Sequence, residues 1–110
     1  FQYLGMIKDG TIELQENNSY PGLLKQTILG RNDGAYSNIA TSRYYLKNIL
    51  DDPDGLVFAE DLPHIRSGRA LSSIKHPEII AEFNAFLQER ADDIEALKQK
   101  YAVEDGVKAE

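Results

Sequence analysis

The stretch Leu29-Gly30-Arg31-Asn32-Asp33-Gly34-Ala35-Tyr36-Ser37-Asn38 decides how the rest of the chain is read. A helix stops at Gly30, an Arg-x-Asp turn follows, and a short strand over Gly34 to Ser37 runs out into Asn38. In an open α/β sheet, ligands sit beyond the carboxyl ends of the strands. The order therefore predicts Tyr36, Ser37 and Asn38 as ligand-binding residues. Alternation along a strand sends Tyr36 and Ser37 to opposite faces, so Tyr36 either stacks on a planar ligand or packs beneath a helix. Asn38 has a second use, because its side-chain oxygen suits the N-cap of a helix beginning at Ile39.

Toward the N-terminus, Phe1, Leu4 and Ile7 share helical spacing, and Lys8-Asp9-Gly10 reads as a helix end with a left-handed glycine. Thr11 to Leu14 is a strand candidate. Ser19, after the loop Asn17-Asn18, is an N-cap for a helix through about Leu29, with Leu23, Leu24, Thr27 and Ile28 as its buried stripe. Gly22 weakens the first turn of that helix.

Toward the C-terminus, the helix after Asn38 runs to about Leu50 and turns Leu46, Ile49 and Leu50 inward. Asp51-Asp52-Pro53-Asp54-Gly55 is a turn cluster, Leu56 to Ala59 a third strand, and Glu60 to Gly68 irregular. Arg69 to Ile74 reads as extended. From Pro77 onward, Ile79, Ile80, Phe83, Phe86 and Leu87 follow the spacing of an amphipathic helix. Asp92 and Glu95 resemble a capping box that restarts a second helix, with Ile94, Leu97 and Tyr101 inward. Residues after Val103 read as a frayed tail. The alternation of helices and strands predicts an α/β fold, a mixed open sheet flanked by helices.

The chain has 110 residues, enough for one domain or a portion of one. With 42% hydrophobic residues and a mean hydropathy of -0.43, it reads as neither disordered nor membrane-embedded. The opening Phe1-Gln2-Tyr3-Leu4 has no leader pattern and reads as a mature or trimmed start. A net charge of -6 disfavours nucleic acid and anionic membrane surfaces as partners. The absence of cysteine removes disulfides and thiolate chemistry without choosing a compartment.

Catalytic patterns are missing. No Ser-His-Asp order, phosphate loop or dinucleotide fingerprint occurs, so neither an enzyme nor a cofactor is predicted. His64 and His76 have no ligands at metal spacing, and His76 reads as the extended residue before a proline. Asp51, Asp52 and Asp54 lack a calcium loop. Glu60 and Asp61 are adjacent rather than spaced for glycoside hydrolysis. Arg66 and Arg69 flank Ser67-Gly68 and face either a cleft anion or solvent.

Ser19-Tyr20, Leu23 to Leu29, Gly30-Arg31-Asn32-Asp33-Gly34 and Arg43-Tyr44-Tyr45-Leu46-Lys47 come in an order similar to the second lobe of family 3 solute-binding proteins. The run Arg69 to Glu78, then Phe83-Asn84-Ala85-Phe86-Leu87, Ile94 and Lys100-Tyr101, resembles that family's closing segment. The resemblance implies a type II periplasmic-binding-protein-like lobe, incomplete relative to the two-lobe fold. Residues 1–59 would belong to the second lobe, and residues 60–110 would supply a crossover strand and C-terminal helices returning to the first lobe.

The function implied is capture of a small polar solute in an inter-lobe cleft, in the periplasm or elsewhere outside the cytoplasm, for the permease of an ABC-type transporter. The alternatives are a sensor domain of a signalling receptor and, further off, an enzyme on the same fold. Amino-acid-binding members commonly carry an aspartate where Asn38 stands. A neutral amide forgoes a charge-assisted bond worth roughly twice a neutral one, which points away from ordinary amino acids. Exposed apolar surface predicts association with a second copy or with a missing N-terminal half.

Overall fold

Local side-chain and glycine chemistry sets several of the helix boundaries. A computed structural model describes residues 1–66 and 70–103, and these form two compact units, Phe1–Ile65 and an Arg66–Glu110 unit. The first unit holds α1 (Leu4–Lys8), α2 (Tyr20–Ile28) and α3 (Ile39–Asn48), and the second holds α4 (Pro77–Glu89) and α5 (Ala91–Lys100). None of the described helices is long and apolar enough to cross a membrane.

Helix α2 shows the logic most fully. Ser19 is extended, and its Oγ accepts a hydrogen bond from the Gly22 amide at 3.1 Å. Asn17 Oδ1 in turn accepts from the Ser19 amide at 3.0 Å. Gly22 costs helix propensity, but a Cβ there would lie 2.7 Å from Ser19 Oγ and 2.9 Å from Asn17 Oδ1. The missing side chain thus makes room for the cap. At the other end, Gly30 has φ +69°, its amide donates to the Thr27 carbonyl, and the Arg31 amide donates to the Gln26 carbonyl. This pair of bonds is a Schellman ending, which glycine enters without a Cβ penalty.

Leu24 and Leu46, 1% and 3% exposed, are the only fully buried hydrophobic residues among those described. They belong to α2 and α3, which pack against each other. Leu23, Thr27, Ile28 and Leu50 are half-buried, whereas Ile49 points outward. The rings of Tyr20 and Tyr45 stack across the same pair of helices at 5.3 Å and 3°.

In the second unit, Pro77 opens α4, with His76 outside the helical region at φ -132° and ψ 61°. Its φ matches the range usual before proline, which disfavours the helical region, but ψ falls short of that range, so His76 leaves the helix without being the fully extended residue expected. Arg90 alone separates α4 from α5. Asp92 does not cap α5. The helix begins one residue earlier, and Asp92 and Asp93 occupy its first turn, where carboxylates suit the helix dipole. Arg90 Nη1 meets Asp93 Oδ2 at 3.0 Å. Ile80, Leu87 and Ile94 are half-buried, while Ile79, Phe83, Phe86, Leu97 and Tyr101 stay exposed.

The α/β expectation is overturned. The described residues contain no strand, so the chain is not a type II binding lobe with a mixed sheet. Thr11 to Leu14, Gly34 to Ser37 and Leu56 to Ala59 are irregular, as are the described residues of Arg69 to Ile74. The physical reason lies in what each element requires. A helix closes its hydrogen bonds within itself, whereas a strand needs a neighbour, and isolated short pairings are marginal in water. Four short apolar segments with no partner ladder therefore remain coil, while every helix forms. Arg69, Ser67 and Gly68 lie outside the described residues, as does the tail beyond Val103.

Candidate functional site

The connection from α2 to α3 carries the three predicted site residues, and it is fastened at both ends. Near its start, Thr27 Oγ1 lies 2.7 Å from Asn32 Oδ1 and also bonds the Leu23 carbonyl at 3.3 Å. At its end, Asn38 is extended, and its Oδ1 accepts from the Thr41 amide at 2.9 Å. Asn38 is therefore the N-cap of α3. The cap uses the side-chain oxygen, and the amide nitrogen supplies two further donors.

Ser37 is half-buried, with its Oγ 2.7 Å from Ser42 Oγ in the first turns of α3. Tyr36 is 53% exposed, and its hydroxyl donates to Gln2 Oε1 at 2.9 Å. Its ring meets Phe1 edge-on at 4.9 Å and Tyr3 edge-on at 5.7 Å, with Phe1 and Tyr3 5.8 Å apart. Tyr3 closes the cluster by donating its hydroxyl to the Pro63 carbonyl at 2.7 Å. The result is a three-ring aromatic patch beside a hydroxyl and a carboxamide.

Tyr36, Ser37 and Asn38 are consecutive and stay together, but Phe1, Gln2 and Tyr3 join them from more than thirty positions away. Local reading missed these three residues. Phe1 was their one visible signal, and it reads equally well as the start of the helical stripe through Leu4 and Ile7.

Other candidates fall elsewhere. Two open depressions, of about 440 Å³ beside Glu16, Asn17 and Asn18 and about 320 Å³ beside Gly22, Lys25, Gln26, Leu29 and Arg31, do not touch Tyr36, Ser37 or Asn38. His64 bonds the Leu62 carbonyl through Nδ1 at 2.8 Å and packs edge-on against Phe58 at 5.0 Å. His76 Nδ1 lies 3.3 Å from Glu78 Oε1. No group of three His, Asp or Glu side chains able to hold a metal occurs among the described residues. Of the acidic turn, Asp51 takes φ +52°, and Asp52 packs its carboxylate on Gly55, where a side chain would collide with it. Arg66 is half-buried, and Arg69 lies outside the described residues. At the end of α1, the hydroxyl and amide of Thr11 hold the Asp9 carboxyl below the usual carboxylate range.

The cap and any solute contact at Asn38 separate by substitution. Asn38→Ala is expected to lower stability by about 1 kcal/mol, while Asn38→Asp is expected to be near neutral because both residues cap well. Thermal melts followed by far-UV circular dichroism check this. An Asn38→Ala melt matching the parent chain would contradict the cap.

No family model, curated protein or solved structure matches this chain.

Proposed function

We propose that this chain is part of a solute-binding protein that works outside the cytoplasm, taking up a small polar solute for a membrane transporter. The observation carrying the reading is the sequence order from Gly30-Arg31-Asn32-Asp33 through Tyr36-Ser37-Asn38 to Lys100-Tyr101, which resembles family 3 solute-binding proteins. The geometry at its centre is compatible with that role. Tyr36 offers an exposed ring and a hydroxyl, and the polar bonds at this edge, the exposed one from Tyr36 and the part-buried one between Ser37 and Ser42, are worth about 0.5–1.5 kcal/mol each. A solute can replace them at modest cost.

An aromatic edge alone does not bury a ligand, and pockets usually enclose most of a ligand's surface. The opposite wall would come from further polypeptide, either a missing N-terminal half or a second copy. Extensive exposed apolar side chains, Val57 and Ile74 among them, support such an association. The carboxamide at Asn38 favours neutral or anionic polar solutes over zwitterionic amino acids, because it lacks the charge to pair an ammonium.

The test is a thermal-shift screen of the full-length protein against sugars, organic acids, polyamines and amino acids. One class is expected to stabilise it, by about 2.7 kcal/mol when the solute is at one hundred times its Kd. Amino acids are expected to be weaker than that class. Failure of all four classes to raise the Tm would remove the proposal.

A further inference from the structure

The sequence contains four Asp-Gly pairs: Asp9-Gly10, Asp33-Gly34, Asp54-Gly55 and Asp105-Gly106, the last outside the described residues. Among aspartyl pairs, Asp-Gly is the one in which the main-chain amide most readily attacks the preceding side chain, because glycine has no Cβ to obstruct the approach and few conformational limits. The three described pairs differ sharply in how free their reacting groups are.

At Asp9-Gly10, the Asp9 Oδ1 accepts from the Thr11 hydroxyl at 2.6 Å and from the Thr11 amide at 2.9 Å. The carboxyl is thus turned to Thr11, and the Gly10 amide donates to the Ile7 carbonyl at 3.3 Å. The same bonds keep the carboxyl ionised, whereas the attack needs it neutral. At Asp54-Gly55, the nucleophile is occupied, since the Gly55 amide donates to the Asp52 carbonyl at 3.1 Å and Gly55 is half-buried against the Asp52 side chain. At Asp33-Gly34, both residues are exposed, and apart from the adjoining residues no atom lies within 4 Å of where a Gly34 Cβ would sit, as is also the case at Gly10. Among the described residues, no acceptor for the Gly34 amide and no donor to the Asp33 carboxylate is found.

We propose that Asp33-Gly34 is the site at which this chain undergoes spontaneous isoaspartate formation, ahead of Asp9-Gly10 and Asp54-Gly55. The Gly34 nitrogen bonds to Asp33 Cγ, and the amide proton leaves with the carboxyl hydroxyl as one water, closing a five-membered succinimide. Water then adds back. Opening at the side-chain carbonyl restores aspartate, and opening at the main-chain carbonyl leaves Gly34 joined through Asp33 Cγ, with no net change of composition. The product carries an extra methylene in the main chain three residues before Tyr36. This inference stands on the turn alone and does not depend on the proposed function.

The test is ageing of the intact chain at neutral pH and body temperature for several weeks, followed by tryptic mapping. Electron-transfer fragmentation locates isoaspartate in the peptides that hold Asp9, Asp33 and Asp54. Isoaspartate at position 33 is expected to accumulate several times faster than at 9 or 54, and the three rates are expected to converge when the same incubation is done in urea. Equal rates in the native chain would overturn the proposal. So would a preference for position 33 that persists undiminished in urea, since that would trace it to neighbouring residue types rather than to the fold.

Discussion

Replacing Leu24 by alanine is expected to cost about 2–5 kcal/mol, the usual range for deleting a fully buried leucine, and to lower sharply the urea midpoint at which the helical signal of α2 and α3 is lost. The magnitude matters because of what it is measured against. At about 0.05–0.15 kcal/mol per residue, the Phe1–Ile65 unit would have roughly 3–10 kcal/mol in total. Leu24 and Leu46 are its fully buried hydrophobic residues, so no larger core absorbs the cavity. Leu24→Met keeps the volume and is expected to cost less than about 1.5 kcal/mol. Urea titration followed by circular dichroism at the helical band distinguishes the two. Equal midpoints for Leu24→Ala and the parent chain would show that α2 does not depend on this contact.

Tyr45→Ala carries the second large effect. The Tyr20–Tyr45 stack joins the N-terminal turn of α2 to the C-terminal half of α3. Parallel, offset aromatic pairing adds about 0.5–1.5 kcal/mol beyond the area that the rings bury. Both residues are half-buried, so the burial lost on truncation is smaller than for a core aromatic, where about 3–5 kcal/mol is usual. A total near 2 kcal/mol is expected, with Tyr45→Phe close to the parent because the ring is retained. Combining Tyr45→Ala with Tyr20→Ala should cost less than the sum of the two single changes, as contacting residues do in double-mutant cycles. Strict additivity would mean that the rings lie near each other without interacting.

The helices were legible because their signals are local. Ser19 and Asn38 cap the elements their side chains predict, Gly10 and Gly30 take the left-handed conformation, and Pro77 opens α4. The end of α5 was less legible: Ala102 adopts φ +51° in a Schellman ending that carries no glycine to announce it. The strands were misread because apolar runs such as Leu56 to Ala59 record only a preference for extended backbone. Whether such a run becomes a strand depends on a partner, which lies outside its own residues. The candidate site divides the same way. The roles of Asn38 and Ser37 follow from neighbours within five positions, whereas the contact of Tyr36 with Phe1, Gln2 and Tyr3 is long-range and had no periodic pattern to reveal it.

The parallel tyrosines of α2 and α3 have an optical consequence. The chain contains no tryptophan, so its near-ultraviolet absorption and emission come from tyrosine, with a minor share from phenylalanine. Two rings held 3° from parallel at 5.3 Å couple their transitions, and this signal vanishes when the helices separate. The part of the near-ultraviolet dichroism that disappears in Tyr20→Ala, which leaves the Tyr3–Tyr36 and Tyr44–Tyr45 contacts in place, is therefore a label-free gauge of α2–α3 docking.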